Sequence, residues 1–384
     1  MKIVEIKGAN FVNKGAELML NSVILQLKEQ YKDNVLFVTD YNTGDFRDRA
    51  NLGLLQKFLL PKVGQNISNI IAGFIPKPLL GRYGVLKEKD IDIIIDCSGF
   101  AYSDQWGSKA ALKMEKSCKR WVKQGKKIIL LPQAFGPYNN EVTKNAMKNI
   151  FDLADLVFVR DEISLKHVES LVGNKSNIHR YPDFTNIVIK NYQNVNYQEL
   201  KNRPCIVTNY RMIDKGKSST AYIEFLKVSI EYLIENGHNP FFLIHDTGKD
   251  KEIVDKLNQQ LSKELQIVEE YDALKIKEIL GLPNLLISSR FHGLVSSLSQ
   301  GVPCIASGWS HKYDELFKDY GCEEMVVKLD ESKEEIIKKL DKLINETNYQ
   351  ELKNRIIKNA ATQKNLTYEM WERVFKEIES KEVV

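Results

Sequence analysis

The chain is poor in paired cysteines. It has five, Cys97, Cys118, Cys205, Cys304 and Cys322, an odd and scattered set with no CxxC. That argues against a disulfide framework or a cysteine zinc site and fits a reduced, cytoplasmic chain. The six histidines are isolated and form no HExxH, so zinc is not expected. No run approaches the roughly 20 apolar residues that span a bilayer. The opening MKIVEIKGAN lacks the basic region, apolar core and cleavage site of a signal peptide. The net charge is only +4, too little for a nucleic-acid glove. Any anion binding must be local.

What the chain has is alternation. Its 384 residues suit two domains better than one core. Short β-rich runs (KIVEIK, VLFVT, IDIIID, KKIILLP, LVFVR) alternate with helical patterns. A polar, Asn-rich stretch at 190–203 reads as a linker. A second series follows, with PCIVTNY, FFLIH, LQIVEE, NLLISS and PCIAS, before two charged helices close the chain. The pattern predicts an α/β protein of two doubly wound, Rossmann-like domains facing a cleft. The expected divisions are 1–190, 204–365, and a final helix 366–384 that packs back on the first domain.

In such sheets ligands sit beyond the carboxyl ends of the strands, and the unusual residues cluster there. SSRFHG follows the apolar NLLIS. A helix starting near Phe291 would offer free N–H groups to an anion. Arg290 could grip a carboxylate or phosphate with its fork. His292 could move a proton near neutral pH, and Gly293 would permit close approach. The other reading pairs Arg290 with a carboxylate and makes His292 a helix cap. Downstream, Ser307, Ser310, His311 and Lys312 could line the same site, with Lys312 as a second cation, or Ser310 could simply cap a helix.

Other strand ends add candidates. GANFVNKGAELML places Asn13, Lys14 and Gly15 in a turn that is neither GxGxxG nor a Walker P-loop. IDCSGFAYSDQWG supplies Tyr102 and Trp106, whose faces could stack on sugar rings, and Asp104, which could deprotonate a hydroxyl. LPQAFGPY offers Gln133, and LVFVRDEIS offers Arg160 for a ligand or a salt bridge. Arg211 follows the first strand of the second domain. His245 follows FFLIH, with Asp246 and Asp250 near a helix start, where they could hold a divalent ion or cap the helix. From Ala50 to Lys87 no residue is acidic, while Lys57, Lys62, Lys77, Arg82 and Lys87 flank short apolar turns. Such a segment could rest on an anionic membrane or pack on its own domain.

SSRFHGLVSSLSQGVPCIASGWSHKYDELFKDYG resembles the Arg-x-His segment of the polysaccharide pyruvyl transferase family. NKGAELML, DCSGFAYSD, LPQAFGPY and VRDEIS follow that family's order, and the resemblance runs from about Lys2 to Gly321. CSGFAYSD departs from it, with one glycine where the family often has two. The resemblance implies a GT-B-like fold and no cofactor beyond phosphoenolpyruvate as co-substrate. It implies a hexose of a cell-surface glycan (capsule or exopolysaccharide) as acceptor, often carried on a polyprenyl diphosphate at the inner membrane. The product would be a pyruvate ketal.

Phosphoenolpyruvate needs several cations, for which Arg290, Arg211 and Lys312 are candidates, with Gly293 and His245 beside them. His292 is the candidate acid and Asp104 the candidate base. Asn13, Lys14, Gly15, Tyr102, Trp106, Gln133 and Arg160 are candidates for acceptor binding or for structure. Two other functions fit the residues: a nucleotide-sugar glycosyltransferase of GT-B type, and a sugar- or anion-binding protein without catalysis.

Overall fold

A computed structural model of the chain describes residues 1–188, 197–214, 219–246, 248–308 and 310–380. The expected linker at 190–203 lies outside the described residues as far as 196. The chain divides into two units. The first is Met1–Val12, Met19–Phe184 and Tyr368–Val384; the second is Asn13–Leu18 and Thr185–Thr367. The start of the first helix thus counts with the second unit, and the end of the last helix with the first.

The first unit holds eight strands: β1 (Lys2–Lys7), β2 (Val35–Thr39), β3 (Leu54–Lys57), β4 (Val85–Leu86), β5 (Ile93–Asp96), β6 (Lys127–Gln133), β7 (Leu156–Val159) and β8 (Ile178–Arg180). Their order is β4-β3-β2-β1-β5-β6-β7-β8, and every pairing is parallel. The second unit holds β9 (Pro204–Val207), β10 (Phe241–Ile244), β11 (Gln266–Glu269), β12 (Leu285–Ser288), β13 (Cys304–Ser307) and β14 (Val326–Val327). Their order is β11-β10-β9-β12-β13-β14, again parallel throughout. Central strands such as IIID, LVFV, FFLI and LLIS are buried at every position. Helices cover both faces of a parallel sheet, so its strands read as continuous apolar runs. Both sheets reverse their winding once, at β1/β5 and at β9/β12.

The segment 50–87 is more ordered than its short apolar turns suggest. It forms β3, the helices Gly64–Phe74 and Lys77–Arg82, and β4. LLQK is too short to show a period that separates strand from turn. The final helix, Glu346–Glu379, is continuous. Its end belongs to the first unit, where Trp371 is buried and its ring lies 6.4 Å from Phe184. Arg373 Nε donates to Tyr181 Oη at 2.8 Å, and Lys127 pairs with Glu377 at 2.7 Å.

Four charges are gathered at the carboxyl ends of β1, β2 and β3. Lys57 contacts Glu5 and lies 2.8 Å from Asp40. Lys7 lies 3.1 Å from Glu5 and 3.0 Å from Asp40. Burial alone would lower the Lys7 pKa, but Glu5 and Asp40 outweigh it and hold it high. Burial would likewise raise Asp40, but Lys7 and Lys57 hold its carboxyl well below the usual range. Breaking one member of such a buried set should cost more than removing a matched pair. Lys57→Met should therefore destabilise the protein by about 3 kcal/mol. Adding Glu5→Gln should recover most of that loss, because the neutral Lys7–Asp40 pair remains. Urea unfolding of the single and double variants checks this.

Candidate functional site

The second sheet reverses between β9 and β12, where a doubly wound sheet opens its ligand crevice. The two strand ends are tied there. Asn209 Nδ2 donates to Ser289 O at 2.7 Å, and Tyr313 Oη donates to the same oxygen at 2.9 Å. Arg290 follows, 6% exposed, with its backbone N–H donating to Ser288 Oγ at 2.9 Å. Its Nη1 donates to Asp246 Oδ2 at 2.9 Å, its Nη2 to Asp250, and its Nε to Thr208 O at 3.3 Å. The fork expected to grip a ligand is held instead by two carboxylates of the chain. Of the two readings the sequence offers for Arg290, this pairing with carboxylates is the second. Asp246 and Asp250 are its counter-ions, and Asp250 also accepts from Tyr210 N at 2.8 Å. Among the described residues no group of three or more His, Cys, Asp or Glu is placed to hold a metal ion. All five cysteines are buried free thiols.

His292 is the second residue of the helix Phe291–Leu298 and is half-buried. A Cβ on Gly15 would stand 2.4 Å from His292 Nδ1. Only glycine lets the start of the helix Lys14–Tyr31 lie so close to the imidazole. Asn13 caps that helix, its Oδ1 accepting from Gly15 N at 2.9 Å and Ala16 N at 3.2 Å. Lys14 pairs with Glu17 at 2.6 Å. The sequence pattern puts Gly15 and His292 in different domains; the structure brings them together in the second unit.

His245 directly follows β10 and is 5% exposed, with its Nδ1 buried and without a hydrogen-bond partner. Burial pushes its pKa down to about 3, helped by Arg290, His292 and Lys14. Lys312 Nζ lies 5.2 Å from the Phe291 ring, and the His292 ring meets the same ring edge-on at 5.5 Å. Gly293 is less constrained, since a Cβ there would come no closer than 3.4 Å, to Arg290 Cβ. Ser307 is fully buried. His311, not Ser310, occupies the cap of the helix Lys312–Asp319.

Arg211, Lys249 and Arg290 surround one aromatic ring. Each lies 5.2 to 5.3 Å from the centroid of Tyr210. Tyr210 and Lys249 were passed over in the sequence, because an isolated Tyr and Lys after two different strands carry no spacing signal. A cavity of about 370 Å³ adjoins them, walled by Ile213, Ile223, Ile253 and Leu257.

The first unit has its own reversal, at β1/β5. Gly8 adopts φ +80° there, and a Cβ on it would stand 2.3 Å from Ser98 Oγ. Asp96 ends β5 fully buried. It accepts from Ser98 Oγ at 2.6 Å and from Gln133 Nε2 at 3.2 Å. Burial raises its pKa against the pull of those bonds. Asp96 was also missed, although an acid closing the apolar run IDIIID is a visible signal. Tyr102 is packed in the core of this unit with its Oη 3.4 Å from Ser98 Oγ. Its ring is therefore structural, not a stacking platform. Trp106 is half-buried and meets Phe100 edge-on at 6.2 Å. Asp104 Oδ2 accepts from the backbone N–H groups of Asn139 and Asn140. Arg160 is buried and pairs with Asp183 at 3.2 Å, which is the structural of its two expected roles.

Two parallel, doubly wound units make a two-domain, Rossmann-like architecture of the GT-B class. The polysaccharide pyruvyl transferase family model matches residues 13–311, and the chain belongs to that family. It is 23% identical over 294 residues to the amylovoran biosynthesis protein AmsJ of Erwinia amylovora, covering 70% of this chain and 69% of that protein. Its fold is similar to that of UDP-GlcNAc 2-epimerase from Neisseria meningitidis bound to UDP-GlcNAc, with TM-score 0.63, 12% identity, and 98% and 100% of the two chains covered. It is also similar to Anabaena Alr3699/HepE in complex with UDP-glucose, with TM-score 0.62, 11% identity and the same coverage. At these identities the likeness is one of fold.

The buried neutral His245 has a consequence for stability. Its pKa is about 3 in the fold against an ordinary 6.5, so the unfolded chain binds more protons between those values. Stability from this group is complete above pH 6.5 and is lost as pH falls toward 3. His245→Gln should flatten the acid limb of a plot of unfolding free energy against pH by up to about 1.4 kcal/mol per pH unit. Urea unfolding at a series of pH values from 7 downward reads that slope.

Proposed function

We propose that this chain transfers the pyruvyl group of phosphoenolpyruvate to two hydroxyls of one hexose in a cell-surface glycan or its polyprenyl-linked precursor, releasing phosphate. The observation that carries the reading is His292, pinned against Gly15 at a helix start, in a chain of this family. A proton is added to the methylene carbon of phosphoenolpyruvate, leaving an oxocarbenium-like centre at its neighbour. One hydroxyl attacks that centre and loses its proton. The C–O bond to phosphate then breaks, and the second hydroxyl closes the ketal. One proton is taken up by carbon, and the two hydroxyl protons go to the base and the departing phosphate.

His292 is the proton donor, toward the enol carbon or the leaving phosphate. Arg211, Lys249 and Lys312 supply the charge that the carboxylate and phosphate require, together with the free N–H groups at the start of the Phe291–Leu298 helix. Arg290 acts behind them, by holding the ends of β9, β10 and β12. Burial holds His245 neutral, and a bound anion beside it would favour its protonated form. Asp104 is assigned the acceptor hydroxyl, and Trp106 and Gln133 the same side of the reaction.

Arg290→Ala is a poor probe, because it strands two carboxylates. Better ones are His292→Asn, Arg211→Ala and Lys312→Ala. In thermal unfolding, phosphoenolpyruvate should stabilise the native protein by about 2.7 kcal/mol at a hundred times its dissociation constant. The Arg211 and Lys312 variants should lose most of that gain. His292→Asn should keep it while phosphate release with acceptor falls by about 10²- to 10⁴-fold. A response to uridine diphosphate but not to phosphoenolpyruvate would move the assignment to sugar transfer. Gly15→Ala should remain folded and lose turnover by about 10²-fold, since the imidazole must shift; unchanged turnover would remove His292 from the chemistry.

A further inference from the structure

The helix Gly64–Phe74 carries its apolar stripe on the wrong side for a core. Ile67, Ile70, Ile71 and Phe74 recur at i, i+3, i+4 and i+7, the spacing of one helix face. All four face solvent, with Ile70 65% and Phe74 86% exposed. The face turned inward carries Ser68 and Ala72. Ser68 Oγ accepts from Leu60 N at 2.9 Å and donates to Gly64 O at 2.8 Å. The helix is thus fixed by its small, polar side and presents its large apolar side outward. Val63 precedes it and Tyr83 follows the next helix, both exposed. Isolated apolar side chains on a surface need no explanation, but a contiguous stripe of this kind marks a contact surface.

The exposed charges of the segment itself are of one sign. Lys62, Lys77 and Arg82 are exposed. Lys77 keeps 66% of its side chain in solvent while reaching Asp90 at 3.2 Å. No residue from Ala50 to Lys87 is acidic. The other two cations of the segment turn inward, Lys57 to Glu5 and Lys87 to the carbonyl of Ile75 at 2.6 Å. The surface is therefore an apolar ridge within a basic rim. Lysine, which Lys62 and Lys77 place on this rim, is depleted at protein–protein interfaces. A lipid bilayer with anionic headgroups meets this one at both levels, hydrocarbon under the ridge and phosphate at the rim. Among the described residues no helix is long and apolar enough to cross a membrane, so the contact is peripheral.

We propose that the face made by Val63, Ile67, Ile70, Ile71, Phe74 and Tyr83 docks on an anionic lipid bilayer, with Lys62, Lys77 and Arg82 at the headgroups. The proposal does not rest on the pyruvyl-transfer reading, because lipid binding and ligand response are measured apart. Flotation with vesicles tests it, using phosphatidylcholine alone and phosphatidylcholine mixed with phosphatidylglycerol. The full chain should float with the mixed vesicles, more weakly as salt is raised, and poorly with phosphatidylcholine alone. Ile70→Ser/Phe74→Ser should reduce binding by about tenfold or more. Lys62→Ala/Lys77→Ala/Arg82→Ala should remove the preference for the anionic lipid.

All these positions are exposed, so melting temperatures should match that of the native protein. Should a variant misfold, Phe74→Trp gives a second reading: its emission should move to shorter wavelength on mixed vesicles and be quenched by brominated acyl chains. Three results overturn the proposal. One is failure of the native chain to float. Another is equal flotation of Ile70→Ser/Phe74→Ser. The third is a native dimer in light scattering that this pair of substitutions converts to a monomer, which would give the face to a second copy of the chain.

Discussion

Arg290 is the buried cation on which the second unit's strand ends are aligned. Its three nitrogens reach Asp246 after β10, Asp250 in the following helix, and the Thr208 carbonyl after β9. Desolvating a guanidinium is costly, and two carboxylates with a carbonyl offset that cost only in a tight geometry. The same bonds therefore fix where His292 and His245 stand. Asn209 and Tyr313 add a second fastening by sharing the Ser289 carbonyl. With this frame set, the imidazole of His292 stands where a Cβ at position 15 would meet it at 2.4 Å, and a glycine occupies that position. Two carboxylates face one guanidinium in this frame, so cations for an anionic ligand must come from outside it. Arg211, Lys249 and Lys312 are in that position.

The first unit solves the same problem with lysines. Lys7 and Lys57 pair with Glu5 and Asp40 beside the reversal of its sheet. Next to them Gly8 brings the end of β1 against Ser98, and Asp96 is held by Ser98 and Gln133. Both units thus spend buried charge at the carboxyl ends of their strands, where the helix starts also point. Stability and site construction share the same residues in each case. That is why a substitution such as Arg290→Ala reads as loss of function whatever the role of the side chain.

Much of this was legible in the sequence, for identifiable reasons. The parallel sheets announce themselves through runs such as LVFV and FFLI, which are apolar at every position because both faces are covered. The strand ends announce themselves through Arg290, His292, His245 and Arg211, which follow such runs directly. Partners across the sheet were not legible. Nothing in SSRFHG says that its arginine belongs to Asp246 and Asp250, since the pairing depends on β10 lying two places from β12. Gly15 and His292 lie 277 positions apart in the chain, and their contact follows from the start of one helix belonging to the other unit. Arg160 and Tyr102 are open in the sequence to a ligand or a structural reading, and only the fold shows Arg160 beside Asp183 and Tyr102 packed in the core.

The segment 50–87 carries a different lesson. Helical periodicity reports that a face is apolar, and the usual inference is that this face is buried. Here the inference fails, because Ser68 and Ala72 occupy the buried side and the stripe from Ile67 to Phe74 does not. A sequence can hold such an inverted helix only if something offsets the exposure of its apolar face, since water alone makes the arrangement unfavourable. The composition of the segment bears on what that is. Acidic residues are absent over the whole stretch, whereas the chain outside it contains acids and bases in near balance. Core packing would not select against acids at exposed positions such as Asn51 and Asn66, but repulsion from a negative surface would. The inverted stripe and the missing acids are separate features of the same 38 residues, and a bilayer accounts for both.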